Sequence, residues 1–207
     1  MKEVVIDKDV HFKTVNKPGQ VQDPTFNRFH DPSHPRYKRY HSRFPHVVSK
    51  IVGPKVLDVG CGAGLTCFLA CQREDLKELH GIDVRKEVIL VARKNVPNDK
   101  VSFHQGFAEE LKFSDNYFNT VVLTETLEHV YDVDKTLSEA SRVLVPGGTI
   151  IITCPFKGQT SKIHVRSIDK KYLLPKVEKY FTIKEFDIVE YPHDTGPKGV
   201  FLIGIKK

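Results

Sequence analysis

Short apolar runs alternate with stretches of helical periodicity along most of this chain. Runs of strand length occur at Val56 to Val59, Leu79 to Asp83, Val101 to Gln105, Thr120 to Thr124 and Thr149 to Thr153. Several stretches between them place apolar residues three or four positions apart, which is the spacing of one helix face. Alternation of strands and helices favours a parallel sheet with right-handed crossovers, so the pattern predicts an α/β protein.

The two ends of the chain depart from this alternation. Residues 1–25 are predicted to form a loosely attached leader, and a cap helix is predicted from Arg36 to Val52 over one end of the sheet. Near the C terminus a helix around Ile168 to Val177 precedes two apolar segments, Phe181 to Tyr191 and Val200 to Lys207. The short turn at residues 192–199 between these segments requires them to pair antiparallel.

The run at Val56 ends in three alternate glycines, within the sequence VLDVGCGAG. Gly60, Gly62 and Gly64 have no side chains, so the backbone is free to take positive φ and a ligand can approach the main chain. The helix predicted directly afterwards points its first N–H groups towards that ligand. This stretch therefore predicts a cofactor-binding loop.

Farther along the chain, Asp132 is predicted to cap a helix from Val133 to Leu144. Pro146 to Gly148 are predicted to form a tight turn.

Charge is unevenly distributed along the 207 residues. The chain has a formal net charge of +6, and residues 1–50 hold ten Lys/Arg against five Asp/Glu. Such a segment can meet phosphates or an acidic substrate, or be a solvated arm. We therefore divide the chain into a basic leader with the cap helix (residues 1–50) and a cofactor-binding domain (residues 51–207). No apolar run is long enough to span a bilayer and no signal-peptide core is present, so a cytoplasmic location is expected.

From about Lys55 onward the chain resembles the class I S-adenosylmethionine-dependent methyltransferases. The resemblance rests on the loop with Asp58 and its three glycines, on Asp83 at the end of the second strand, on Pro146 to Gly148, and on the terminal antiparallel pair. It implies a Rossmann-like, doubly wound, seven-stranded sheet with an antiparallel last strand and helices on both faces. It also implies S-adenosylmethionine as cofactor and S-adenosylhomocysteine as product.

In this family the loop amides receive the methionine carboxylate, Asp58 holds the ammonium directly or through water, and Asp83 accepts from both ribose hydroxyls. Phe107 stands where the family often has an Asp, so adenine is expected to be held by apolar contact. From the residues alone, Asp58 could instead form a turn, Asp83 could cap a helix and Phe107 could belong to the core. The full set of expected cofactor residues is Asp58, Gly60, Cys61, Gly62, Gly64, Asp83, Val84, Phe107, Ala108 and Thr124.

The segment after the fourth strand reads TETLEHV and carries Glu125, Glu128 and His129, while His164 follows the fifth strand. In ubiquinone-type and small-RNA methyltransferases a similar group binds a divalent cation, so these four residues are candidate Mg, Mn or Zn ligands. In metal-free relatives the same residues orient loops. His129, His164 and Glu125 are the candidate catalytic residues, because a hydroxyl acceptor requires a base.

The favoured function is therefore O-methylation of a small molecule or glycan hydroxyl. Metal-assisted 2′-O-methylation of RNA is an alternative, since the N-terminal quarter is basic. A non-catalytic nucleotide-binding protein of Rossmann type is another, although the third glycine comes too early for the NAD fingerprint. The sequence leaves the methyl acceptor and the oligomeric state open.

Overall fold

The computed structural model describes Asp9 and residues 25–156, 164–190 and 198–207. Its helices are α1 (Thr25–His30), α2 (Tyr37–Ser49), α3 (Leu65–Ala70), α4 (Lys86–Asn95), α5 (Val133–Val143) and α6 (Lys170–Glu178). Its strands are β1 (Lys55–Val59), β2 (Glu78–Asp83), β3 (Val101–Gln105), β4 (Phe118–Thr124), β5 (Leu144–Pro155), β6 (Phe181–Val189) and β7 (Gly199–Lys206). The predicted leader, apart from Asp9 and Thr25, and most of the turn at residues 192–199 lie outside the described residues.

The seven strands form one sheet in the order β3-β2-β1-β4-β5-β7-β6. Strands β1 to β5 are parallel, whereas β7 runs antiparallel to both β5 and β6. The predicted doubly wound sheet with its reversed last strand is thus confirmed. Because β1 lies between β2 and β4, the strand order changes direction there, and ligands of such sheets bind at this point beyond the carboxyl ends of the strands.

Helices cover both faces of the sheet, as predicted. Alternate residues of a strand point to opposite faces, so Val121 and Leu123 pack with α5 and α6, while Val122 packs with α2, α3 and α4. The central strands are apolar on both sides for this reason, and Val121, Val122 and Leu123 are fully buried. This two-sided core fixes the strand ends that carry the site.

Side chains set the beginnings of two helices. The Asp132 carboxylate accepts a hydrogen bond from the Lys135 main-chain N at 2.9 Å, so the predicted cap of α5 is confirmed. Asp169 caps α6 in the same way. The predicted turn at Pro146 to Gly148 instead lies inside β5 as a bulge, since the partner of β4 shifts from Leu144 to Thr149. Gly147 permits it with φ of +71°.

The cap helix α2 is shorter than the predicted span and packs where expected. Its apolar face, with Tyr40, Phe44, Val47 and Val48, is buried, and α2 contacts α1 and α3. Two arginines on the same helix reach the end of β4. Among the described residues, no helix is long and apolar enough to cross a membrane.

Candidate functional site

The loop after β1 is shaped by its three glycines. Their φ angles are +76° at Gly60, +53° at Gly62 and +88° at Gly64, a region that side chains rarely adopt. A Cβ at Gly60 would lie 2.5 Å from the Thr126 hydroxyl, so the loop passes close to the end of β4. At Gly60 only glycine fits, and this brings the main chain of the loop against the end of β4.

The N–H groups of this loop are engaged within the protein. The Gly60 and Cys61 amides donate to the Ile82 carbonyl at 2.8 and 3.0 Å, and the Gly64 amide donates to Cys61. The Gly62 amide donates to the Asp83 carboxylate at 3.1 Å. The structure thus ties the loop to β2, and the amides of all three glycines donate within the protein, unlike the ligand-facing amides that the resemblance implied.

Asp58 lies at the base of the loop and is buried. The Thr66 hydroxyl donates to its carboxylate, and the Cys67 thiol lies 3.8 Å from Oδ2 as a second donor. Burial, which disfavours the charged form, raises the pKa of Asp58 from 3.8 to about 7. A cation placed beside this carboxyl would oppose that shift, and the ammonium of an amino acid is such a cation.

Asp83 ends β2 and is surrounded by donors. Its Oδ1 accepts from the Arg85 main-chain N at 2.9 Å and from Arg85 Nε at 3.1 Å. Its Oδ2 accepts from the Gly62 amide and from Arg85 Nη2, each at 3.1 Å. Val84, between the two, is half-buried, and its carbonyl accepts from Gln105. The sequence interpretation of Asp83 as a hydroxyl acceptor did not include Arg85.

The segment after β3 closes the side of the site beside β2. Phe107 is half-buried with its ring edge-on to Tyr131, at 6.1 Å between centroids, and Ala108 packs against the core. The buried Glu109 carboxylate accepts from the Tyr131 N at 2.8 Å and the Asp132 N at 3.3 Å. Glu109 therefore fastens this segment to the start of α5, a role that the sequence pattern did not indicate.

The end of β4 holds a second group of polar side chains. Glu128 is buried with Oε1 3.7 Å from His129 Nε2, and the rings of His129 and His164 are edge to face with centroids 5.0 Å apart. One ligand atom from each of the three residues lies within 4.8 Å of the others. Desolvation, followed by the charge of Glu125, raises the pKa of Glu128 well above its usual value.

Glu125, the fourth residue of the predicted metal group, faces other partners. It adopts a positive φ of 54°, and its Oε2 lies 3.1 Å from Arg43 and 3.9 Å from Arg39 of the cap helix. Thr153 donates to its Oε1 at 3.3 Å. Both arginines are buried, so these ion pairs join α2 to the end of β4. The spacing of Arg39 and Arg43, four apart on the apolar side of α2, is the sequence signal for this contact.

Two buried polar atoms at this strand end have no hydrogen-bond partner within the part of the chain that the structure describes. They are the Thr124 hydroxyl oxygen and Glu128 Oε2. Buried polar atoms are nearly always paired, and an exception at a strand end beside a glycine loop is typical of a ligand site. The structure therefore brings together, at the carboxyl ends of the strands, the predicted cofactor residues and three of the four predicted metal ligands.

Three features of this structure are typical of the class I methyltransferase fold. They are the doubly wound sheet with a reversed last strand, the glycine loop after β1 and the acidic residue that ends β2. Residues 57–152 match the family described as "Methyltransferase domain". The PH0226 protein of Pyrococcus horikoshii OT3 has a similar fold, with a TM-score of 0.72 at 21% identity, over 89% of this chain and 96% of that protein. Residues 57–152 are thus similar to a methyltransferase domain, within a fold like that of the class I S-adenosylmethionine-dependent methyltransferases.

Curated relatives are similar over the same region. The chain is 32% identical over 136 residues to a demethylmenaquinone methyltransferase of Chlorobaculum parvum, covering 64% of this chain and 54% of the relative. It is 35% identical over 101 residues to the ajmaline N-methyltransferase of Rauvolfia serpentina, covering 47% and 34%. The chain thus spans about half, or less, of the length of these relatives.

Proposed function

We propose that this chain binds S-adenosylmethionine at the ends of β1 and β2 and transfers its methyl group to a hydroxyl of a small molecule or glycan. The observation that supports the hydroxyl most directly is the meeting of His129, His164 and the buried Glu128 at the end of β4. A hydroxyl must lose a proton on methylation, and the two imidazoles at the end of β4 supply a base.

The residues at the strand ends fit the proposed cofactor. Asp83 offers two oxygens to vicinal hydroxyls, buried Asp58 favours a nearby ammonium, and half-buried Phe107 offers an apolar ring to a base. The glycine loop admits a ligand against the main chain. When bound, S-adenosylmethionine supplies a methyl group on a sulfonium. The remaining task of the chain is alignment, which is worth roughly 7–11 kcal/mol in well-oriented reactions.

The imidazoles define the proton path. In this proposal His129 or His164 takes the proton from the acceptor hydroxyl. His129 Nε2 lies 3.7 Å from Glu128 Oε1, and burial raises the pKa of Glu128, so the proton is then held beside this carboxyl. Arg43 of α2 pairs with Glu125, which lies three residues before Glu128, so the cap helix is joined to the same strand end. In this proposal α2 excludes water from the reacting atoms, and His129 and His164 accept the proton.

The names of the relatives include both a quinone-type methyltransferase and an N-methyltransferase. An amine that is already neutral needs no base. A hydroxyl acceptor requires His129 and His164 as bases, whereas an amine acceptor does not. The effect of substituting these two histidines therefore decides between the two acceptors.

The experiment measures transfer of labelled methyl to panels of phenols, sugar hydroxyls and amines, with calorimetry of S-adenosylhomocysteine binding alongside. We expect a hydroxyl acceptor, a loss of about 10²–10⁴ in rate for His129→Asn or His164→Asn, and unchanged cofactor binding in both variants. His46→Asn, which changes an exposed histidine near the C-terminal end of α2, is the matched control. Amine methylation that survives both substitutions at the strand end would contradict the hydroxyl acceptor.

A divalent cation on Glu128, His129 and His164 is the second candidate for this group, because their ligand atoms lie within 4.8 Å of one another. One carboxylate and two imidazoles suit a first-row cation, which would acidify a nearby hydroxyl. Elemental analysis of the purified protein and activity after chelation test it. Full activity with no bound metal rejects the cation and leaves the imidazoles as bases.

A further inference from the structure

We propose that Arg85 occupies the ribose-binding oxygens of Asp83 in the ligand-free protein, and that its displacement sets the affinity for the cofactor. The inference rests on the proposed function, because it takes an S-adenosyl ligand as the competitor. It concerns a contact of this chain that neither the family match nor the relatives assign.

One carboxylate has a limited capacity to accept hydrogen bonds. Two oxygens offer about four lone-pair positions. Main-chain N–H groups of Gly62 and Arg85 take one position on each oxygen, at 3.1 and 2.9 Å. The Arg85 guanidinium takes one more on each, through Nε to Oδ1 and Nη2 to Oδ2, both at 3.1 Å. Every acceptor position of Asp83 is therefore engaged.

A ribose diol requires the positions that the guanidinium holds. The two main-chain hydrogen bonds to Asp83 come from the glycine loop and from the residue before α4, so they remain as long as the protein is folded. The two N–H groups of the guanidinium fork and the two hydroxyls of a diol both address the two oxygens of one carboxylate. Arg85 and a bound ribose therefore exclude each other at Asp83.

Displacement is feasible because Arg85 has a route to solvent. Its side chain is 29% exposed, against 7% for Asp83. The Arg85 main chain is extended, with φ of −89° and ψ of 110°, at the residue before α4. The guanidinium is thus able to swing outward without moving the helix. Because the Arg85 guanidinium is partly open to solvent, its ion pair with Asp83 is expected to contribute about 1 kcal/mol, which is about fivefold in a dissociation constant.

The test compares the parent with Arg85→Ala and Arg85→Lys by calorimetry with S-adenosylhomocysteine and with its 2′-deoxy analogue. We expect Arg85→Ala to bind S-adenosylhomocysteine about fivefold more tightly, with a smaller gain for Arg85→Lys, which retains the charge but not the fork. The gain should shrink for the analogue, which presents one hydroxyl fewer. Lys86→Ala, which removes the exposed cation next in the chain, is the matched control and should leave the constant unchanged.

Thermal unfolding gives a second readout that does not depend on activity. Removal of the guanidinium should lower the Tm of the free protein, since Asp83 loses two donors, and should leave the Tm at saturating ligand near that of the parent. An equal decrease in both states indicates a structural role and overturns the proposal. So does equal or weaker binding by Arg85→Ala. If the parent binds neither ligand, the proposed function fails and this inference with it.

Discussion

Asp83 ends β2 and Glu128 follows β4 in the same sheet, but their surroundings differ. Asp83 accepts hydrogen bonds from two main-chain N–H groups and from the Arg85 guanidinium. Glu128 is buried beside His129, its Oε2 has no donor among the described residues, and burial raises its pKa well above the usual value. Both oxygens of Asp83 therefore have donors, whereas one oxygen of Glu128 has none among the described residues.

This difference separates the two halves of the site. In the half around β1 and β2, the Asp83 carboxylate at the end of β2 already has its donors, so a ligand there must replace an existing contact, such as the one between Arg85 and Asp83. The half at the end of β4 retains unpaired polar atoms on Thr124 and Glu128 within the described part of the chain, so a ligand, a proton or a cation there adds a contact that is lacking. Substitutions should therefore act mainly on ligand binding at Asp83 and on stability at Glu128 and Thr124.

The largest effect is expected at Asp83. Asp83→Asn removes the charge that two ribose hydroxyls would address, and each hydrogen bond to a charged group contributes about 1.5–3 kcal/mol. We expect binding of S-adenosylhomocysteine to weaken about 100-fold or more in calorimetry. Glu87→Gln, an exposed carboxylate in the first turn of α4, is the control and should bind normally. A change below about threefold at Asp83 would show that the ribose lies elsewhere.

Asp58 tests whether burial also governs a carboxyl in the first half. Burial raises its pKa from the ordinary 3.8 to about 7, so between these values the folded state holds a proton that the unfolded state has lost. The free energy of unfolding should therefore fall as pH rises from about 4 to 7, by about 2–4 kcal/mol. Asp58→Asn should abolish most of this dependence.

Urea unfolding at pH 5 and pH 8 measures the Asp58 effect. The parent should lose more stability between these pH values than Asp58→Asn does. Asp99→Asn, at an exposed position, should follow the parent. Parallel pH profiles for the parent and Asp58→Asn would mean that water or an ion solvates this carboxyl in solution.

Glu128→Gln should stabilise the free protein. The folded-state pKa of Glu128 lies above its unfolded value, so its ionisation opposes folding increasingly as pH rises above about 4.5. A neutral amide of the same shape removes that penalty, and we expect a gain of about 1–3 kcal/mol at pH 8 that shrinks towards pH 5. Urea unfolding measures it, with exposed Glu110→Gln as the control. A loss of stability at pH 8 would indicate a bound cation.

The first half was predictable because its signals are local in the sequence. The glycine loop follows its strand directly, and Asp83 ends a strand whose apolar run marks it, so position in the sheet follows from the alternation pattern. What the pattern does not contain is side-chain and peptide orientation. Hence the inward-facing amides of Gly60 and Cys61, and the fork of Arg85 on Asp83, appear only in three dimensions.

The second half was predictable only in part, because its contacts join distant segments. The spacing of Glu128 and His129 indicated a polar group, and the structure brings His164 to it from after β5. Glu125 was expected in the same group, yet its positive φ turns it towards Arg43 of the cap helix. The backbone conformation of one residue decides which partners this carboxylate has, and sequence periodicity carries no information on it.

Thr124 should give the smallest effect and the most direct comparison. Its buried hydroxyl oxygen has no partner within the described residues, whereas the Thr126 hydroxyl donates to the Val59 carbonyl at 2.9 Å. Valine has the same shape and suits a strand. Urea unfolding should show that Thr124→Val raises the free energy of unfolding by about 1 kcal/mol, while Thr126→Val lowers it by about the same amount.

The gain in Thr124→Val comes from removing an unpaired atom. It should therefore diminish when S-adenosylhomocysteine is bound if that ligand pairs with the hydroxyl. A destabilising Thr124→Val in the free protein would mean that the hydroxyl already has a partner, and the contrast between the two halves would be lost.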